Sequence, residues 1–319
     1  MRNFKKWIAL LLTIAMLVSF TACATDAPAE LPSQTETDTQ THETESEVAE
    51  FKSESESEST TEEEPQPQKA PIRNLILIIG DGMGPEHIAA GQLASGAVYP
   101  FTDWQNTNVN TDSVSKDGLA GVMTDSAASA TALATGFLTV NGYLGMDRNA
   151  RQLDTILDLA KASGKATGIV TTDYLYGATP SGFSAHSPSR TDYDRITRTQ
   201  AQSGVDFLCG LRKDSHYLSY QSQITSGGYY FANTAEGLRN APKGAEKLYL
   251  TLNIENSQAD SLPLCTVASM ALSFLEHDED GFVLIIEQAH IDKHSHNNEI
   301  NGVVSAMNSL ALTVETVME

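Results

Sequence analysis

The chain has 319 residues and a formal net charge of −21, with 41 acidic against 20 basic side chains and three cysteines. That balance argues against a nucleic-acid or anionic-membrane partner, and three cysteines give no disulfide framework. The charge is unevenly spread, and the first 70 residues do not look like part of a folded core.

Residues 1–23 read as a secretory signal. Arg2, Lys5 and Lys6 precede an apolar run from Trp7 to Phe20 that is too short for a comfortable membrane span, and small residues lead into Cys23. The Phe-Thr-Ala-Cys ending resembles a bacterial lipoprotein signal with a lipidated Cys23, although Phe20 stands where Leu is usual. The expected location is extracytoplasmic, anchored at the outer face of the cell membrane; cleavage near Ala22 and free secretion is the alternative. Residues 24–70 hold 14 acidic and 2 basic residues among Ser, Thr, Gln and Pro, the composition of a disordered tether. Residues 71–319 are then one catalytic-type domain, with a net charge of −12 of its own.

In that domain, 74–80 (NLILIIG) is an apolar run predicting a strand buried on both faces. The stretch TDSAASATALATG (124–136) predicts a helix capped by Thr124 or Asp125, with Ser126 in the first turn, where free N–H groups and the helix dipole favour an anion. Such small side chains suit either a ligand brought close to the backbone or tight packing between two elements. Ile156, Leu157 and Leu159 predict a helix stopped by Gly164, followed by a strand over 166–170; a second helix from about Thr266 leads to a strand over 282–286. Alternating helices and apolar strands imply an α/β fold, a three-layer sandwich around a central, mostly parallel sheet, with chemistry beyond the carboxyl ends of its strands.

Each of these strands runs directly into polar residues. GDGMG (80–84) lacks the spacing of a dinucleotide loop. EQAHIDKHSHNN (287–298) offers Glu287, Asp292 and His296, with His290 and His294 nearby, a mixture of carboxylates and imidazoles suited to metal. Cys209 and Cys265 leave one disulfide open as a possibility.

Taken in order, GDGMG, TDSAASATALATG, ATPSGFSAHSPSR and EQAHIDKHSH resemble the alkaline phosphatase family, from about Asn74 to the last residue. The resemblance implies hydrolysis of phosphomonoesters with two Zn2+ and one Mg2+. Ser126 matches the nucleophile that becomes phosphoserine, and Arg190 the guanidinium that clamps two phosphate oxygens. Asp81 matches the carboxylate bridging a zinc and the magnesium. Thr179 and Glu287 match the remaining protein ligands of the magnesium, Asp292 and His296 two ligands of the water-activating zinc, and Ser126 with Asp81 part of the other zinc site. Phosphomutases and phosphodiesterases share this metal layout but not the Asp-Ser-Ala-Ala-Ser-Ala-Thr run around the nucleophile.

Two departures from the family pattern stand out. Gly177 occupies a position where the family often has an Asp or His that tunes the magnesium site, and Lys293 matches a variable position where some members direct a Lys at the phosphate through water. In addition, no residues match the family's downstream Asp-His pair and later His, and Val303, Met307, Leu310, Val314 and Val317 recur at helical spacing without a stop signal. The expectation is a domain incomplete at its C-terminus, lacking the last strands and at least three zinc ligands. The alternative to an enzyme is therefore a catalytically inactive surface lipoprotein that binds at most phosphate or magnesium. Natural substrate and oligomeric state are not legible.

Overall fold

Strand β8 (Phe282–Gln288) is the centre of the architecture because it is apolar on both faces: Val283 and Ile285 face one hydrophobic cluster, and Phe282, Leu284 and Ile286 the other. Complete burial of each such aliphatic side chain stabilises by roughly 1.5–3 kcal/mol, so the strand settles only where both faces are covered. The computed structural model describes residues 72–319. The signal and tether expected over 1–23 and 24–70, including Cys23, lie outside the described residues.

In chain order, β1 (Leu75–Gly80) leads to α1 (Pro85–Ser95), a small antiparallel ribbon of β2 (Ser113–Val114) and β3 (Ala120–Val122), and α2 (Ser126–Thr135). There follow α3 (Ile156–Ala162), β4 (Ala166–Thr171), α4 (Ala178–Ser184), α5 (Tyr193–Ser203) and β5 (Phe207–Leu211). Short helices α6 (Asp214–Tyr217), α7 (Gln221–Ser226) and α8 (Ala235–Arg239) surround β6 (Tyr230–Ala232), ahead of β7 (Leu248–Leu252). Helix α9 (Leu264–Leu275), β8, α10 (His290–His296) and α11 (Ile300–Met318) complete the order.

The six-stranded sheet runs β1-β8-β4-β5-β7-β6 and every pairing in it is parallel. Helices cover both faces. Ala127, Leu157, Phe183 and Ile196 pack on one side, and Val267, Ala268, Ala271 and Leu275 of α9 on the other. This is the expected α/β sandwich. One burial expectation fails: β1 is not enclosed on both faces. It sits at the end of the sheet, with Leu75 exposed and its other residues half-buried, because β8 is its one strand neighbour among the described residues. Cys209 is buried, Cys265 is partly exposed, and both are free thiols.

Parallel strands bring their carboxyl ends to one edge of the sheet. β8 lies between β1 and β4, with Ile79 and Thr171 both in register with Glu287. Asp81, Glu287 and the residues after Thr171 therefore meet at that edge although they are distant in sequence.

Candidate active site

Helix α2 begins at this edge. Asp125 is its cap, not Thr124: the Asp125 carboxylate accepts from the Ala128 N–H at 2.9 Å. Its other oxygen accepts from the Gly142 N–H at 3.0 Å and from Arg190 Nη1 at 3.1 Å. One carboxylate thus stops the helix, ties down the 142 loop and anchors the guanidinium. Ser126 is the first helical residue, and its hydroxyl donates to Asp81 Oδ1 at 3.1 Å, with Oδ2 at 3.4 Å. The small residues of α2 serve both readings of their pattern. Ala127, Ala128, Ala130, Thr131 and Ala134 are buried. A Cβ on Gly182 of α4 would lie 2.7 Å from Ala130 Cβ, so the two helices meet at a distance only glycine allows. Ser126, Ser129, Ala130 and Leu133 also line an open cleft of ≈ 630 Å³, within the range of roughly 300–1,000 Å³ of small-ligand sites.

Asp81, Thr124, Asp125, Thr179, Arg190, Asp292 and His296 line the same cleft. Asp292 and His296 lie one turn apart on α10, with His296 Nε2 3.3 Å from Asp292 Oδ2. Gly82, at φ 63°, makes room for Asp292: a Cβ there would come within 2.7 Å of Asp292 Oδ1. Glu287 lies just beneath the cleft floor, 2% exposed, and takes hydrogen bonds from the Thr171 and Thr179 side chains. All seven residues singled out from sequence, Asp81, Ser126, Thr179, Arg190, Glu287, Asp292 and His296, are thus gathered at one edge of the sheet. His290 and His294 are not. They face a separate cavity with Glu255 and Ser309, where His290 Nδ1 is 3.9 Å from Glu255 Oε2 and His294 Nδ1 is 2.7 Å from Glu299 Oε2.

The cleft is short of positive charge. Burial, and then the neighbouring Asp81 carboxylate, push the Glu287 carboxyl up to about 8 despite the two threonine donors. Asp81 is raised by burial and by Asp292, against the lowering effects of Ser126 and Arg190. Carboxylates that raise one another in this way would be relieved by a cation. Asp81, Thr179 and Glu287 form an all-oxygen set of the kind magnesium takes. Asp292 and His296 are ligands of the zinc kind but number two, fewer than the three protein ligands of a catalytic zinc site. Among the described residues, no group of three or more His, Cys, Asp or Glu side chains is placed to hold a metal by itself.

Sequence reasoning missed Asp173. It belongs to none of the stretches matched to a site role, yet it forms an ion pair with Lys293 and adds to the negative field on both Asp81 and Glu287. The available signal was its place immediately beyond the β4 strand end.

A parallel α/β sandwich with a serine at a helix N-terminus, a guanidinium beside it and carboxylates behind it defines a class of fold with a cleft suited to an anionic group at the sheet edge. The alkaline phosphatase family model matches residues 72–208. The chain is 29% identical to alkaline phosphatase 4 of Bacillus subtilis over 79% of this chain and 58% of that protein. It is also 29% identical to the alkaline phosphatase of Escherichia coli K12, over 78% of this chain and 67% of that protein. A cold-active alkaline phosphatase from Shewanella sp. superposes with a TM-score of 0.66 at 31% identity, covering 77% of this chain and 63% of that one. Over these spans the chain is similar to the alkaline phosphatases, a family that generally uses metal ions. It spans 58% of the length of the Bacillus relative.

Proposed function

We propose that this domain hydrolyses phosphomonoesters through a phosphoserine on Ser126. The observation that carries the reading is the Ser126 hydroxyl at the first position of α2, hydrogen-bonded to Asp81 and flanked by Arg190. A dianionic phosphoryl group would lie against the free N–H groups of α2. Arg190 spends Nη1 on Asp125, and its Nε and Nη2 have no hydrogen-bond partner among the described residues, so they are free to take phosphate oxygens in a fork. Ser126 Oγ attacks phosphorus as it gives up its proton, the bond to the leaving alkoxide breaks, and the alkoxide takes up a proton to depart as the alcohol. Attack by water on the phosphoserine then releases inorganic phosphate and restores the hydroxyl.

Asp81, Thr179 and Glu287 would hold magnesium; Asp292 with His296, and Asp81 with Ser126, would contribute to two zinc sites. Bound there, these cations would offset the charge on the phosphoryl group and favour the ionised forms of the attacking oxygens. A serine hydroxyl is a weak nucleophile at neutral pH, and that is the chemistry it lacks. The donor count supports a second reading, a protein that binds phosphate or magnesium without turnover, since Asp292 and His296 are only two zinc-type ligands.

The test is acid quenching after incubation with p-nitrophenyl phosphate, zinc and magnesium, followed by mass spectrometry. Phosphate on Ser126, lost in Ser126→Ala, is the expected result. Phosphate on Ser129 or Thr131 would overturn the assignment, and phosphate binding without phosphoserine or p-nitrophenol would favour the second reading. For the location, we propose an extracytoplasmic domain held at the membrane by a lipid on Cys23. Cys23→Ser should move the protein from the membrane fraction to the soluble fraction.

A further inference from the structure

Gly177 precedes α4 with φ −59° and ψ 164°, a conformation that any residue adopts. Its lack of a side chain is therefore not required by the backbone. It is required by space: a Cβ there would lie 2.6 Å from Asp173 Oδ2, 3.1 Å from Asp173 Cγ and 2.9 Å from the Tyr174 carbonyl. The Asp173 carboxylate fills the volume that a side chain at 177 would take.

That carboxylate is held firmly. Its Oδ1 accepts from the Tyr174 N–H at 2.7 Å and from the Lys293 ammonium. The Asp173 N–H donates to Thr171 Oγ1 at 2.8 Å, and the same hydroxyl donates to Glu287. Its carbonyl accepts from the Leu211 N–H at 2.6 Å. Lys293 follows Asp292 on α10, and its ammonium also lies 5.8 Å from the centre of the Tyr174 ring. Without Asp173, Lys293 would have no carboxylate fixing it among the hydrogen bonds of the described residues, and its long stem would leave the position of its charge undefined.

We propose that Asp173 is a positioning residue at the edge of the cleft: its carboxylate occupies the space left open at Gly177, adds to the negative field on Asp81 and Glu287, and fixes the ammonium of Lys293, the residue next to Asp292 on α10. This role rests on the phosphate-cleft reading given above. It makes Asp173 and Gly177 a reciprocal pair, in which a carboxylate can be carried by either position but not by both.

The experiment moves the carboxylate within the 319-residue chain. Asp173→Ala, Asp173→Asn, Gly177→Asp and the double variant Asp173→Ala/Gly177→Asp are compared by melting temperature and by the rate of Lys293 acetylation, read by mass spectrometry; Mg2+ affinity is measured by calorimetry. Asp173→Ala and the space-filling Asp173→Asn should each raise Lys293 acetylation roughly three- to fivefold, the scale of a partly exposed ion pair. Gly177→Asp alone should lower the melting temperature, because two carboxylates then compete for one volume. The double variant should melt above Gly177→Asp and return Lys293 acetylation to within about twofold of the unaltered chain. Unchanged labelling in Asp173→Asn, or a double variant whose losses simply add, would overturn the proposal. Failure of the unaltered chain to bind Mg2+ or inorganic phosphate would instead count against the reading of the cleft, while labelling and melting still decide the role of Asp173.

Discussion

Replacing Glu287 by Gln should stabilise the metal-free domain at neutral and alkaline pH, although it removes a residue of the site. Glu287 is 2% exposed and its carboxyl is pushed from 4.5 up to about 8, first by burial and then by Asp81. The folded chain therefore keeps a proton that the unfolded chain has released above pH 4.5. Stability must fall as pH rises from about 4.5 to about 8 and level off beyond it. At 1.36 kcal/mol per pH unit, the loss is about 3 kcal/mol at pH 7 and about 5 kcal/mol above pH 8. Gln keeps the volume and an oxygen that can accept from Thr171 and Thr179, and it has no charge to expel. Urea unfolding of both proteins in chelator, at pH 5 and pH 8, provides the measurement. The two should have similar stability at pH 5, and the variant should be more stable by several kcal/mol at pH 8. Saturating Mg2+ should narrow the gap at pH 8 by stabilising the wild type alone. Parallel pH dependences for the two proteins would refute the reasoning.

Asp125→Ala removes the α2 cap together with the acceptor for Gly142 and Arg190. It should cost about 1–2 kcal/mol in denaturant unfolding and weaken inorganic phosphate binding in calorimetry. Gly182→Ala should destabilise by about 1–3 kcal/mol through overpacking against Ala130, whereas Leu133→Ala, at a half-exposed position lining the cleft, should change stability far less. In the native protein Cys265 should react with a thiol reagent while Cys209 stays protected, since burial encloses Cys209 and raises its thiol; equal rates would show that the sheet opens readily. Deleting residues 30–68 should leave the melting temperature of the domain unchanged, and a large drop in scanning calorimetry would show that this segment packs on it.

The local signals in the sequence were enough for the framework. A doubly apolar run such as Phe282–Ile286 can be satisfied only inside a covered sheet, so the strand, the parallel class and the polar strand ends follow from composition alone. Ser126, Asp81 and Glu287 could be singled out because the short stretches that hold them carry the family resemblance, and the structure brings all three to one edge of the sheet. Tertiary structure decided what patterns of this kind do not carry. β1 looks as apolar as β8, but strand order places it at the end of the sheet, and strand order depends on long-range pairing. His290 and His294 share a stretch with Asp292 and His296, yet the turn of α10 sends them to a different cavity. Gly177 reads as a missing side chain until packing brings Asp173 into its place and Lys293 onto Asp173. An ion pair spanning 120 residues leaves no trace in local spacing, because its geometry exists only once β4 and β8 lie side by side.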